Sequence, residues 1–309
     1  MQGVGDMRFD PQAKLAMHEK FRRFVNGEKV YPVNLEISPS HVCNAQCEWC
    51  FYAGTHLKAK NDAFLDTGIA TNLIYDAHKL GIEALTWTGG GEPTLHPDFD
   101  ALTRTANGLG LKQGLFTNAL NWPRYFPLNF EWIRVSNTNK AWPENNIGYL
   151  REHTRVLGMA LNYIGDDKAV DEAIRVGKKI GVDYVQIRQA LNLRGHVTER
   201  TPPKGLDKIA FVTEYKFEDS QNPHGYTECY GFNFVPFIWH NGNVDVCGYH
   251  PKTGGRYTLG NLKERSLKEI IDFAPRHVPV IDSCQVCCKN HEANKLINRA
   301  KKLEDRSFI

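Results

Sequence analysis

CNAQCEWCFY (Cys43–Tyr52) sets three of the chain's eight cysteines at a spacing of Cys-x3-Cys-x2-Cys. A structural tetrahedral zinc site takes four protein ligands, and no fourth cysteine stands beside these three. Three thiolates around one centre leave a position open, and an open position points to chemistry rather than scaffolding. His41 or His56 could instead complete a zinc knuckle, so the triplet alone leaves both readings standing.

The flanking sequence places this loop in a fold. VNLEI (Val33–Ile37), just before it, reads as a short buried strand. Asp66 caps a helix that runs to Leu80, with Ile69, Leu73, Ile74 and Ala77 at helical spacing. EALTWT (Glu83–Thr88) is a second strand and ends in GGGEP. Pro97-Asp98 opens another helix, closed at Gly108–Gly110, and LKQGLFTN follows as a third strand. WIRVSN (Trp132–Asn137), MALNYI (Met159–Ile164) and YVQIRQAL (Tyr184–Leu191) are the fourth, fifth and sixth. Between the last two, DDKAVDEAIRVGKKIG has the acidic start and basic, Gly-terminated end of an amphipathic helix. Such alternation predicts an α/β fold with a parallel sheet, whose functional groups gather at the carboxyl ends of the strands. The cysteine loop, GGGEP and Ser136-Asn137 would then share one mouth.

CNAQCEWC with an aromatic before its last cysteine, followed by a strand ending in GGGEP, resembles the radical S-adenosylmethionine (SAM) superfamily. The resemblance covers Tyr31 to Leu193 and implies a partial (β/α)6 TIM-like barrel. It implies that Cys43, Cys47 and Cys50 hold a [4Fe–4S] cluster whose remaining iron is met by SAM. SAM cleavage then yields a 5′-deoxyadenosyl radical that abstracts hydrogen. Trp49 would lie beside the adenine, and Gly90, Gly91 and Glu92 would form the edge that meets the SAM amino group. Ser136 would meet the methionine carboxylate or the ribose. Asn162 and Arg188 would be further SAM contacts, since an arginine can pair bidentately with a carboxylate.

From Tyr226 the pattern changes. CYGFNFVPFIWHNGNVDVCGYH reads as two strands joined at Asn241-Gly242, a type I′ hairpin signal. LKERSLKEIIDF reads as a helix, and the segment after CQVCC as a long polar one. This resembles the Twitch domain, a truncated relative of SPASM, and implies an auxiliary [4Fe–4S] cluster on Cys229, Cys247, Cys284 and Cys287. A pair of auxiliary clusters needs more thiols than the five that remain after the first triplet. The same thiolates would also suit a structural zinc ribbon. Cys288 is surplus: a ligand in place of Cys287, a small buried hydrophobe, or a hydrogen donor to a substrate radical in an epimerase. The organisation expected is an N-terminal extension over 1–30, the barrel over 31–205, and over 206–309 a small β-hairpin plus helix iron–sulfur domain.

Composition bounds the partners. At 309 residues, with 41% hydrophobic residues and a formal charge of +3, there is no electrostatic footprint for nucleic acid. FVPFIW, the longest apolar run, is far too short for a membrane span, and the N-terminus lacks the marks of a signal peptide. A cytoplasmic protein is expected, in which clustered thiols serve metals or catalysis rather than disulfides. The expected activity is oxidation of a polar small molecule (sugar, aminocyclitol or nucleoside), the auxiliary cluster accepting an electron and flavodoxin or ferredoxin donating one to the first. In layout the chain resembles the Twitch-containing aminocyclitol dehydrogenase. The alternatives are an epimerase, a ribosomal-peptide modifier, or a non-catalytic electron carrier or SAM sensor. The molybdopterin-pathway GTP cyclase is set aside, because the chain ends RSFI rather than in a double glycine. Trp87, Asn118, Trp142, Gln186, His240, Tyr249 and His250 are candidates to line a polar pocket.

Overall fold

The computed structural model describes residues 10–52, 54–56, 58, 61–122, 130–190, 201–213, 217, 224–248, 257–280, 284 and 290–303. Two short helices, α1 (Pro11–Ala16) and α2 (Glu19–Val25), precede the first strand, β1 (Asn34–Ile37). Then α3 (Thr67–Lys79), β2 (Ala84–Trp87), α4 (Phe99–Gly108), β3 (Lys112–Thr117) and β4 (Trp132–Ser136) follow. The barrel half continues through α5 (Glu144–His153), β5 (Val156–Tyr163), α6 (Asp167–Ile180), β6 (Tyr184–Gln189) and β7 (Ala210–Val212). The rest comprises β8 (Glu228–Cys229), β9 (Phe237–Ile238), β10 (Asn243–Asp245), β11 (Thr258–Asn261), α7 (Leu267–Phe273), β12 (Val278–Pro279) and α8 (His291–Lys301).

The main sheet has ten strands in the order β11-β10-β9-β1-β2-β3-β4-β5-β6-β7. Every neighbour pair from β9–β1 to β6–β7 is parallel, so the six strands read from sequence form the expected βα succession. Among the described residues the sheet ends at β7 and β11 without closing, a partial barrel rather than a complete one. Strand alternation sorts the side chains: Leu35, Ile37, Leu85, Leu115, Ile133, Val135, Leu157 and Met159 enter the core shared with the helices. Burying each such chain contributes roughly 1.5–3 kcal/mol. On α6, Val170, Ala173, Val176 and Gly177 form the buried stripe, Asp166 caps the start, and Gly181 at φ 78° ends it. A Cβ on Gly177 would come within 2.9 Å of Val185, so the glycine lets α6 close on β6.

The C-terminal hairpin joins the same sheet, β9 pairing parallel with β1 and antiparallel with β10. Its turn differs from the type I′ expectation. The Gly242 N–H donates to Trp239 O (2.9 Å) and the Trp239 N–H to Asn243 O (2.9 Å). Gly242 sits at φ 89°, whereas Asn241 is not among the positive-φ residues. Type I′ needs positive φ at both positions. The loop is instead three residues, His240–Gly242, with only its last residue left-handed. The cause is local: the Asn241 carboxamide oxygen accepts the Asn243 N–H (3.1 Å), an Asx turn that holds Asn241 outside the left-handed region. The helix expected over LKERSLKEIIDF begins later, at Leu267, because Ser266 and Glu269 form a capping box. At the other end of the chain, Phe24 and Val30 share a second core cluster with Tyr230, Phe234 and Ile297. The N-terminal helices are thereby seated on the C-terminal segment.

Candidate active site

The carboxyl ends of the barrel strands open on a cavity of about 360 Å³. Cys43, Cys47, Cys50 and Trp49 of the loop after β1 line it. Two glycines let that loop lie against the one after β2, and a third lets the latter fold on itself. A Cβ on Gly90 would fall 2.3 Å from His41 Nδ1, and one on Gly91 2.2 Å from Val42 O. A Cβ on Gly89 would fall 2.0 Å from Gly91 O. The Gly90 N–H donates to Ser38 Oγ (2.9 Å) and the Glu92 N–H to Val42 O (2.7 Å). Gly91 and Glu92 line the cavity; Gly90 is set behind it.

Glu92 is 3% exposed and fully engaged. Its Oε1 accepts from the hydroxyls of Thr117 (2.7 Å) and Thr94 (2.8 Å), and its Oε2 accepts the Asn118 N–H (2.8 Å). Burial pushes its pKa up, against the pull of those donors. The Asn118 Nδ2 in turn donates to Asn44 Oδ1 (2.7 Å) inside the cysteine loop. Glu92 thus ties the ends of β2 and β3 to the loop that carries the thiols.

Ser136, Asn162 and Arg188 line the same cavity from β4, β5 and β6. They are braced in series: Asn137 Oδ1 accepts from the Asn162 N–H (2.8 Å) and Nδ2 (3.0 Å), and Asn162 Oδ1 accepts from Arg188 Nε (3.0 Å). Asn118 and Gln186 also reach the cavity. Trp87 does not. It faces the helices, 0% exposed, with its indole N–H on Gln113 Oε1 (2.8 Å), because strand alternation turns it away from the interior. Trp142 packs on the core clusters instead. His240 stacks on His41 at 4.4 Å and 16°. Burial, and then His41, push the His240 pKa down to about 4. Tyr249, His250, Cys287 and Cys288 lie outside the described residues. Glu36, Phe116, Arg134 and Thr213 line the cavity without having been singled out from sequence, while Asn137 does so as its place at the end of the fourth strand implied. The signal for Arg134 was its position two residues before Ser136 on one strand, which puts both on one face.

The loop fits an iron–sulfur cluster in donor chemistry and placement. Its three thiols line one cavity and influence one another: burial pushes Cys43 up to about 11, with lesser contributions from Cys50 and Cys47. Burial raises Cys47 and Cys50 as well. Cluster insertion would therefore displace protons and draw the thiolates together. Among the described residues, no group of three or more His, Cys, Asp or Glu is already gathered as a metal ion would hold it.

A second, smaller cavity of about 30 Å³ is lined by Cys229, Cys247 and Cys284, with His224, Tyr226 and Asn294. Asn294 Oδ1 accepts the N–H groups of Tyr230 (2.7 Å) and Gly231 (2.9 Å), which aims its Nδ2 at Cys229 Sγ (3.2 Å). Cys247 lines this cavity while the next residue, Gly248, lines the first. Tyr52, just past the cysteine triplet, donates its hydroxyl to Gly248 O (2.7 Å).

Fold and loop together make this chain a member of the radical SAM superfamily. No family model matches it. Among characterised relatives, the GTP 3′,8-cyclase of Actinobacillus succinogenes is 26% identical over 163 residues, 50% of this chain and 45% of that protein. A GTP cyclase, set aside above, is thus among its relatives. The S-adenosylmethionine-dependent nucleotide dehydratase of Selenomonas ruminantium is 35% identical over 88 residues, 28% of this chain and 30% of that one. The chain spans less than half the length of either. Among solved structures, Streptococcus suis SuiB bound to its precursor peptide SuiA superposes with a TM-score of 0.63 at 14% identity, covering 83% of this chain and 68% of that one. anSMEcpe with bound AdoMet gives 0.55 at 13% identity, over 88% and 84%. At such identities these structures speak for the fold. No helix among the described residues is long and apolar enough to cross a membrane.

Proposed function

We propose that this chain is a radical SAM enzyme that takes hydrogen from a polar small molecule and oxidises it. Cys43, Cys47 and Cys50 would hold a [4Fe–4S] cluster, and Cys229, Cys247 and Cys284, with Cys287, an auxiliary one. The first cluster, with SAM bound, would supply the electron that cleaves SAM and frees a 5′-deoxyadenosyl radical; the auxiliary one would take up an electron from the substrate. The observation that carries this reading is the convergence of the three loop cysteines with Trp49, Glu92, Ser136, Asn162 and Arg188 on one cavity. The proximity of the second thiol-lined cavity, one residue along from the first, supports the oxidative form.

The chain's own residues would do the positioning. Trp49 offers an indole face for the adenine. Asn162 steadies Arg188 for a carboxylate, and a bidentate pair there would fix the methionine end of SAM. Glu92, already saturated, holds the loop rather than the reacting atoms. A flavodoxin or ferredoxin would deliver electrons. The substrate class is a nucleoside, sugar or aminocyclitol derivative, and two relatives named for GTP and for nucleotides favour the nucleoside side.

Iron per chain after anaerobic reconstitution, with SAM cleavage assayed alongside, tests this. About eight irons falling to about four in a Cys43/Cys47/Cys50→Ala protein, with 5′-deoxyadenosine lost, is the expected result. About four falling to zero would leave the C-terminal thiols as a zinc site or bare, and the oxidation would lose its electron acceptor.

A further inference from the structure

We propose that Arg134 is an anion subsite within the cavity and that the substrate it receives is phosphorylated, a nucleoside phosphate. The proposal rests on the functional reading only in taking this cavity as the substrate's.

Arg134 lies in one register row with Phe116, Gly158 and Tyr184 across β3 to β6. Its guanidinium carbon is 5.0, 5.5 and 5.6 Å from the ring centres of Phe116, Trp132 and Tyr184. Two glycines make the room. A Cβ on Gly158 would sit 2.0 Å from Tyr184 Cζ, and one on Gly114 2.1 Å from Trp132 Cζ2. Tyr184 therefore leans across the strand between them, and its hydroxyl accepts from Arg134 Nε (3.0 Å). The rings hold the guanidinium's body by cation–π attraction and use only its inner N–H. Among the described residues that is the sole side-chain hydrogen bond of Arg134, and no carboxylate pairs with it. Its terminal nitrogens are left to the cavity, carrying a charge that is never given up.

A permanent cation seated on strands, half-buried and with no counter-ion among the described residues, suits a bidentate oxyanion. It lies one pleat below Ser136, about 7 Å deeper by strand rise, beneath the rim where Ser136, Asn162 and Arg188 stand. That separates it from the groups assigned to SAM. Two strands over on the same cavity, in the row of Ser136 and Ala160, Gln186, 8% exposed, donates its Nε2 to the Thr213 hydroxyl (2.6 Å) and leaves its Oε1 with no partner. A hydroxyl can donate or accept, so either orientation of the amide leaves one group for a ligand. A cation for the phosphate and a free amide for a sugar hydroxyl or a base edge match the two ends of a nucleotide.

The test is equilibrium binding to anaerobically reconstituted holoprotein of guanosine, GMP and GTP, and of cytidine with CMP and CTP, with SAM titrated separately. Wild type is expected to bind each nucleotide about tenfold or more tighter than its nucleoside. Arg134→Gln should erase that preference, Arg134→Lys should restore part of it, and SAM affinity should hold in both. Equal affinity for nucleosides and nucleotides in wild type would overturn the proposal. So would weakened SAM binding in Arg134→Gln, which would make Arg134 the partner of the SAM carboxylate. Should Arg134→Gln lose its fold, Tyr184→Phe decides, because it frees the guanidinium while keeping the ring: an unchanged phosphate preference there would also overturn it. Failure of wild type to bind or cleave SAM would sink the enzymatic reading alone, since phosphate discrimination is read without turnover.

Discussion

A methyl group at residue 158 would meet the Tyr184 ring at 2.0 Å, with backbone on either side and nowhere for the ring to retreat but off Arg134. Gly158→Ala is accordingly expected to cost about 1–3 kcal/mol of stability, read from denaturant midpoints, and to weaken nucleotide binding more than SAM binding. A second expectation comes from the stacked His41–His240 pair. Burial, with His41 secondary, holds His240 at about 4, while Asp62 pulls it up and Lys263 down. Between about pH 6.5 and 4 the unfolded chain therefore binds more protons here than the folded one, so stability rises with pH across that window and is lost on acidification. Urea midpoints at pH 7.5 and 5.5 should fall further apart in wild type than in His240→Phe; equal separations would disprove the assignment. At this scale the cysteine triplet and GGGEP are legible in the sequence because their ordered combination points to a chemistry that neither carries alone. Arg134 is not. A single arginine in WIRVSN fits an exposed strand face equally well, and only the register with Gly158 and Tyr184 shows the seat built for it.

The elements repeat that division. β1 to β6 are legible because short apolar runs with capped helices between them admit few other arrangements, and α6 carries its start and stop in Asp166 and Gly181. The hairpin turn is misread because Asn-Gly is a signal from two residues, whereas the outcome depends on a third, Asn243, whose N–H the Asn241 side chain captures. Gly242 nonetheless sits at φ 89°, and a Cβ there would also press to 3.0 Å on Asn261 Oδ1. Gly242→Ala should lower stability by about 1–2 kcal/mol, visible as a shift in thermal midpoint. The seating of α2 is a larger matter. Phe24, 2% exposed, lies among Tyr230, Phe234 and Ile297, with the Arg276 guanidinium 4.2 Å from its ring centre. Phe24→Ala should cost about 3–5 kcal/mol, and a loss below 1 kcal/mol would mean that the N-terminal helices pack more loosely than described.

Across the whole molecule, the pairing of β9 with β1 brings the C-terminal hairpin against the cysteine loop. Sequence could place strands at both sites but could not pair them, since a strand pattern names a face and not a neighbour. The Tyr52–Gly248 hydrogen bond spans the two cysteine regions. Tyr52→Phe strands the Gly248 carbonyl and should lower stability by about 1 kcal/mol, measured by anaerobic denaturation, while iron per chain after reconstitution should match that of the wild type. One contrast in placement reaches further. Phe116, Arg134, Gly158 and Tyr184 all belong to strands, whereas the three thiols ride on a loop. Were the loop to carry the proposed cluster, air that stripped it would leave the strand-borne row standing. On the proposed reading, spoiled copies would then keep their grip on a nucleotide that they can no longer transform, and in a mixed population they would compete with intact ones as inhibitors of their own kind.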